Sequence, residues 1–113
     1  MMENKLMYCL IYRFKIHKDT EELFIKSWAE VTKAFAKHCG ALGSRLHKKD
    51  TSEYIAYAQW PSKEIRDNAE LPSDIINGAH AEMRSCCKSV EVLFELTPVN
   101  DLLIHTSKNK LSV

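Results

Sequence analysis

The sequence has almost no excess charge and few residues that interrupt regular structure. Sixteen Lys and Arg face fifteen Asp and Glu over 113 residues, so the formal net charge is +1. Without a basic excess, the chain lacks the electrostatic basis for binding nucleic acid or an anionic membrane surface. Only three Gly and three Pro occur, and 45% of the residues are hydrophobic. This composition excludes a disordered protein and indicates one domain with a substantial core.

Long hydrophobic runs and common catalytic motifs are absent as well. The longest early apolar run, Leu6 to Tyr12, ends at Arg13 without a small-residue cleavage site, so we expect neither a signal peptide nor a membrane span. No P-loop, GxGxxG, GxSxG or HExxH pattern occurs. Nucleotide binding, serine hydrolysis and zinc proteolysis therefore have no support.

Cysteine usage points to a reducing compartment. The four cysteines, Cys9, Cys39, Cys86 and Cys87, form no CxxC pair and lack the spacing of a zinc site. We expect reduced thiols in a cytoplasmic protein, buried mainly as small hydrophobic groups. A redox-active vicinal pair at Cys86 and Cys87 is the alternative.

The chain does contain a clear alternation of strand-like and helix-like segments. Strands are predicted over residues 6–16, 43–49, 53–60 and 90–96. A helix capped by Asp19 and ended by Gly40 follows the first strand, and Ser62 begins a short helix. A further helix is predicted from Ser73 or Asp74 to about Lys88. The order predicts an α+β ferredoxin-like βαββαβ domain with a four-stranded antiparallel sheet over residues 1–97, followed by a tail, residues 98–113.

Both faces of the predicted sheet carry apolar side chains. Tyr8 and Tyr12 lie on one face of the first strand, and Cys9 and Ile11 lie on the other. Helices on one side cover only one face, so we expect a homodimer whose sheets pack together. We also expect Tyr8 and Tyr12 to lie in that interface. The apolar segment Leu102-Leu103-Ile104 could clasp the partner before the chain end becomes disordered; a monomer with a half-exposed aromatic face is the alternative.

Three stretches carry a resemblance to a known family. They are residues 12–16 leading into residues 19–22, Phe24 with Trp28, and residues 53–62 with their Trp60-Pro61-Ser62 ending. In these the chain resembles the antibiotic biosynthesis monooxygenase (ABM) family of dimeric α+β barrels, over about residues 6–97. The family includes cofactor-free oxygenases of phenols and quinols, heme-degrading enzymes, small isomerases and members without a known activity.

The resemblance implies a cofactor-independent monooxygenase acting on a small hydrophobic or aromatic molecule. Heme degradation is disfavoured, because Glu70 and Tyr12 stand where that branch has His and Asn. Ala56 stands where the anthrone-type oxygenases have Asn, so their polar contact to the substrate is missing. We expect no metal, heme or flavin. An isomerase and a non-enzymatic ligand-binding dimer remain as alternatives.

Four residues are candidates for the site. Trp60 matches the family's tryptophan at the end of the third strand and, with Tyr57, is expected to bind substrate. His80 and Arg84 are an i, i+4 pair at the edge of a helical apolar stripe. We expect His80 to move a proton and Arg84 to bind an anionic oxygen. Core packing for Trp60 and Tyr57, and solvated positions for the pair, are the alternatives.

Overall fold

The computed structural model describes residues 7–104 of the chain. Its elements are β1 (Tyr8–Ile16), α1 (Glu21–Cys39), β2 (Gly43–Asp50), β3 (Glu53–Trp60), α2 (Lys63–Asp67), α3 (Ser73–Ile75), a π-helical turn (Ile76–His80), α4 (Ala81–Cys86) and β4 (Cys87–Leu96). The predicted βαββαβ order and α+β class are therefore confirmed. Within residues 7–104, no helix is long and apolar enough to cross a membrane.

One four-stranded antiparallel sheet forms the centre of the fold, with strand order β2-β3-β1-β4. Tyr8 pairs with Trp60 and Phe14 pairs with Tyr54, so the two central strands run in register along their whole length. The β2–β3 hairpin turns at Thr51 and Ser52. Because directly paired residues point to the same face, this register decides which side chains meet the helices.

The covered face is the one that meets the helices, and it carries most of the core. Its β1 and β3 members alternate with residues of the other face, as the period of two requires. They are Tyr8, Leu10, Tyr12, Phe14, Ile16, Tyr54, Ala56, Ala58 and Trp60. Phe24 of α1 packs between Phe14 and Tyr54, with ring centroids 5.2 Å apart in each pair. This aromatic cluster holds α1 against the sheet.

The start of α1 differs from the prediction. Asp19 does not cap the helix, because its φ of 64° places it in the left-handed region of a turn. Thr20 is the N-cap, and its hydroxyl donates to the His17 carbonyl instead of accepting from the helix. The other end agrees with the prediction: Gly40 ends the helix with φ 83°, a conformation that suits glycine.

The helix before β4 contains a π-helical turn that the sequence pattern did not predict. α3, the π turn and α4 run continuously from Ser73 to Cys86, and we call them the 73–86 helix. Pro72 rather than Ser73 or Asp74 occupies the N-cap position. The predicted end near Lys88 is also wrong, because β4 already begins at Cys87. The π turn holds one extra residue per turn, which rotates every later side chain around the axis.

The open face is the side of the sheet without helices. It is mainly apolar at the Cys9 end of β1 and charged at the other end, where Arg13 pairs with Glu91 and Glu53. Its apolar members are Cys9, Ile11, Ile55, Tyr57, Phe94 and Leu96. Phe94 is 59% exposed, an unusual exposure for a phenylalanine. The expectation that Tyr8 and Tyr12 form a sheet–sheet interface is wrong, since both point toward the helices. Burial raises the pKa of Tyr57, and the Asp101 carboxylate of the tail adds a smaller effect in the same direction. The end of the predicted tail, residues 105–113, lies outside the described residues.

Candidate functional site

A cavity of about 290 Å³ lies on the covered face, between the sheet and the helices. Its volume is at the lower end of the range for small-molecule sites, roughly 300–1,000 Å³. Every helix except α3 contributes to its wall. The lining residues are Tyr12, Phe14, Trp28, Val31, Thr32, Phe35, Ala41, Gly43, Ser44, Ala56, Ala58, Trp60, Arg66, Ala69, His80, Met83, Arg84 and Val90.

Aromatic rings and small side chains give the cavity its shape. Trp60 is 5% exposed and meets Phe35 of α1 edge-on, with centroids 5.6 Å apart and planes at 72°. Ala56 and Ala58, also on β3, leave space beside the rings because they end at Cβ. The cavity therefore suits a flat hydrophobic molecule, and the prediction that Trp60 borders such a space agrees with this geometry. α1 supplies a larger part of the wall than the sequence indicated.

His80 and Arg84 both line this cavity. His80 is the last residue of the π turn, and Arg84 follows one α-helical turn later. Burial lowers the pKa of His80, and the positive charge of Arg84 lowers it further. His80 is therefore mainly neutral at pH 7 and able to accept a proton, while Arg84 stays charged.

Tyr57 lies away from the cavity, on the open face. Its hydroxyl oxygen is 3.2 Å from Cys9 Sγ and accepts a hydrogen bond of 3.0 Å from Gln59 Nε2. Trp60 and Tyr57 are three residues apart, so alternation along β3 places them on opposite sides of the sheet. The structure thus brings Trp60, His80 and Arg84 to one cavity and separates Tyr57 from them.

Two lining residues were missing from the sequence-based site. Arg66 of α2 donates from Nη2 to the Tyr12 hydroxyl at 3.2 Å, and Tyr12 stands mid-strand on β1. Ser62 sets the position of α2, because its hydroxyl accepts from the Ile65 amide at 3.1 Å. The predicted Ser62 cap was the one available signal that a side chain of this short helix would be held near Trp60.

The charged groups around the cavity are of one sign. Arg66 and Arg84 are cationic, His80 is a further basic group, and no Asp or Glu is among the described lining residues. In a partly buried space these groups favour a negative charge on the bound molecule. The arrangement can hold an aromatic anion and move a proton at its edge. Within residues 7–104, no three His, Cys, Asp or Glu side chains are arranged to bind a metal ion.

The family model of antibiotic biosynthesis monooxygenases matches residues 7–67, which include β1, α1, the β2–β3 hairpin, Trp60 and α2. The chain belongs to this family. The predicted resemblance is thereby confirmed. The match ends before the 73–86 helix, so membership alone assigns no role to His80 or Arg84.

Solved structures agree on the fold. SnoaB from Streptomyces nogalater, described as a cofactor-independent oxygenase, superposes with a TM-score of 0.70 at 17% identity, covering 85% of this chain and 96% of SnoaB. Rv0793 from Mycobacterium tuberculosis superposes with a TM-score of 0.65 at 16% identity, covering 86% of this chain and 99% of Rv0793. NE2512 of Nitrosomonas europaea, a protein of unknown function, superposes with a TM-score of 0.67 at 12% identity. The superposition covers 91% of this chain and 99% of NE2512. No curated protein matches the sequence. At these identities the likeness shows the ABM fold.

Proposed function

We propose that the protein is a cofactor-independent monooxygenase that oxidises a phenolic or quinol-type small molecule in this cavity. The observation that carries the proposal is an apolar, ring-lined space in which every formally charged residue among the described lining residues is a cation. Electron-rich phenols react with oxygen mainly as their anions, so a site that favours the anion promotes this chemistry. Family membership and the description of SnoaB support the same reaction class.

In this proposal His80 removes the phenolic proton and Arg84 stabilises the resulting oxyanion. The anion transfers an electron to O₂, and the two radicals combine at the ring carbon opposite the hydroxyl group. The peroxide takes the proton back, and loss of water leaves a carbonyl at that carbon. The phenol becomes a quinone, one oxygen atom enters the product and the other leaves as water. Four electrons pass from substrate to O₂, so no further reductant is needed.

Trp60 has the role of holding the ring in place. Its indole borders the cavity and is fixed by the edge contact with Phe35. A fixed aromatic wall positions a flat substrate at low entropic cost. Tyr57 is left out of the proposed machinery because it faces the other side of the sheet.

We further propose that the protein is a cytoplasmic homodimer that packs through the open face. Exposed Phe94 and Leu96, beside Ile11 and Tyr57, support this interface. The four cysteines are all free thiols, which supports a reducing compartment. The cavity opens on the side of the sheet opposite this interface.

The test of the oxygenase is oxygen uptake with a panel of anthrones and 1-naphthols that carry hydrogen at the ring carbon opposite the hydroxyl group, in buffer treated with a chelator. We expect turnover above the spontaneous oxidation and one atom of isotope-labelled O₂ in the product. His80→Gln should slow turnover by about 100-fold, the lower range for removing a general base. Arg45→Gln, a change on the outer side of β2, is the control and should have no effect.

If no member of the panel is oxidised faster than in buffer, the oxygenase proposal fails. Proton exchange into a bound ketone without oxygen uptake would instead favour the isomerase. Tight binding without either reaction would favour a ligand-binding dimer.

A further inference from the structure

Arg66 and Tyr12 form a polar pair inside a cavity that is otherwise apolar on that side. Arg66 comes from α2 and Tyr12 from β1, so the pair is distinct from His80 and Arg84 on the 73–86 helix. Neither residue takes part in the chemistry described above.

The charge of Arg66 is only partly balanced. Its Nη1 lies 3.5 Å from the Asp67 carboxylate, a long contact for an ion pair. The other Asp67 oxygen accepts a 2.8 Å hydrogen bond from Lys63, so Asp67 is already committed to a cation. A guanidinium has five N–H donors, and one of them is taken by Tyr12. Donors therefore remain for a ligand in the cavity.

Tyr12 adds a second donor at the same place. Its oxygen accepts from Arg66, which leaves its own hydrogen able to donate to a further acceptor. The nearest ring, Phe14, lies at a centroid distance of 6.0 Å and offers no lone pair. A guanidinium and a phenolic O–H side by side are the donors that a carboxylate oxygen uses best.

We propose that Arg66 and Tyr12 bind an anionic group of the substrate other than the reacting oxygen, which makes the substrate an aromatic acid rather than a neutral quinol. This proposal rests on the same cavity as the proposed function and specifies its substrate class. Arg66 is then a specificity-determining residue. The side chain is 31% exposed, so it can meet the substrate at the cavity mouth and remain in contact during entry.

The test is binding under nitrogen, where no oxidation takes place. The probes are α-naphthol and a hydroxynaphthoate that adds one carboxylate on the second ring, measured by calorimetry. Both tryptophans of the chain, Trp28 and Trp60, line the cavity. Quenching of their fluorescence during the same titration reports that the probe occupies this space.

We expect the hydroxynaphthoate to bind at least about tenfold more tightly than α-naphthol, the effect of one charge-assisted hydrogen-bond pair. Arg66→Gln should reduce this preference to below about threefold, and Arg66→Lys should restore part of it. Tyr12→Phe should weaken hydroxynaphthoate binding by about fivefold, with little change for α-naphthol. Arg45→Gln removes the same charge on the other side of the sheet and should leave both affinities unchanged.

The proposal is overturned if Arg66→Gln keeps the full preference, or if Arg84→Gln alone abolishes it. Equal binding of the two probes by the unaltered protein overturns it as well. Thermal melting of each variant verifies that the fold is intact, and α-naphthol binding verifies that the cavity is intact. Oxygen uptake plays no part in this measurement, so an inactive protein that still prefers the acid would refute the oxygenase and retain the anion site.

Discussion

The two faces of the sheet are formed by the same strands but differ in what covers them. On the covered face, Trp60 and Tyr54 are almost fully buried against helices, and Trp60 lines the cavity. On the open face, Tyr57 lies between them in sequence, and its hydroxyl contacts Cys9 and Gln59, with the Asp101 carboxylate of the tail nearby. Three residues along β3 therefore separate an aromatic ring that lines the cavity from one that lies half-buried on the open face.

This difference explains why the tyrosines of β1 and β3 could not be assigned to the cavity or to the open face from the sequence alone. Tyrosine is favoured in strands on either face, so its presence on β1 and β3 says little about which face it serves. The register resolves the question, because pairing Tyr8 with Trp60 places both on the covered face. Substitutions on each face in turn therefore test whether the covered face and the open face differ in burial and role.

The largest expected effect is a loss of folding stability when a residue of the covered face is truncated. Trp60→Ala removes an indole that is 5% exposed and packs against Phe35. Truncation should lower the free energy of unfolding by about 3–5 kcal/mol. Urea denaturation measures this loss. Phe94→Ala on the open face is the matched control and should cost the isolated protomer less than about 1 kcal/mol; equal losses would contradict the assignment of the two faces.

The next effect belongs to the open face. Phe94→Glu places a carboxylate in the proposed dimer interface, where burial without a partner costs about 2 kcal/mol. Two copies per dimer should raise the dimer dissociation constant by about a thousandfold. Sedimentation velocity over a dilution series measures this change. Lys88→Glu, an exposed change at the start of β4, should leave association unaltered. A protein that is already monomeric at micromolar concentration would refute the interface.

A smaller effect concerns the pH dependence of turnover. The positive charge of Arg84 helps to lower the pKa of His80, so Arg84→Gln should raise that pKa. Because the neutral imidazole is the active base, activity falls as pH drops through this pKa. The acid limb of the pH profile should therefore move to higher pH in the variant. Proton NMR titration of His80 in both proteins provides an independent measurement, and an unshifted or lower pKa would contradict the coupling.

The smallest expected effect is on stability at alkaline pH, and it distinguishes two tyrosines of β3. Burial and the hydrogen bond to Glu21 raise the pKa of Tyr54 to about 12, so it ionises well above pH 10 in the folded state. A raised pKa stabilises the fold below pH 10, and this contribution disappears as pH rises through 12. Tyr54→Phe should therefore lose less stability than the unaltered protein between pH 10 and 12. Tyr57→Phe on the open face is the comparison. Burial raises the pKa of Tyr57 as well, so this variant responds in the same direction, and a larger response than that of Tyr54→Phe would contradict the deeper burial of Tyr54.

Much of the fold was predictable because it depends on local and periodic signals. The strand period of β3, the Ser62 cap and the left-handed Gly40 were each visible in the sequence, and the structure contains all three. The Asp19 cap failed because the same residue types also favour turns with positive φ. Local patterns give the elements and their ends, and they leave competing turn geometries undecided.

The site was only partly predictable, because it depends on contacts between distant positions. Arg66 and Tyr12 are separated by 54 residues, and no periodic pattern links a five-residue helix to a central strand. The π turn was equally invisible, since one inserted residue leaves no compositional trace. His80 could nevertheless be found. It is the last residue of the π turn, so its spacing of four residues to Arg84 runs through the regular helix α4.

The charged edge of the sheet has a consequence for how copies of this protein can assemble. β2 is an edge strand and carries Arg45, His47, Lys48 and Lys49 in sequence. Backbone pairing between two such edges would bring like charges together, which opposes continuous sheet growth. At the other edge, register shifts along the β1–β4 pairing interrupt the regular ladder. Both edges therefore oppose the growth of open-ended ribbons, which leaves the open face as the surface for the proposed contact between two copies.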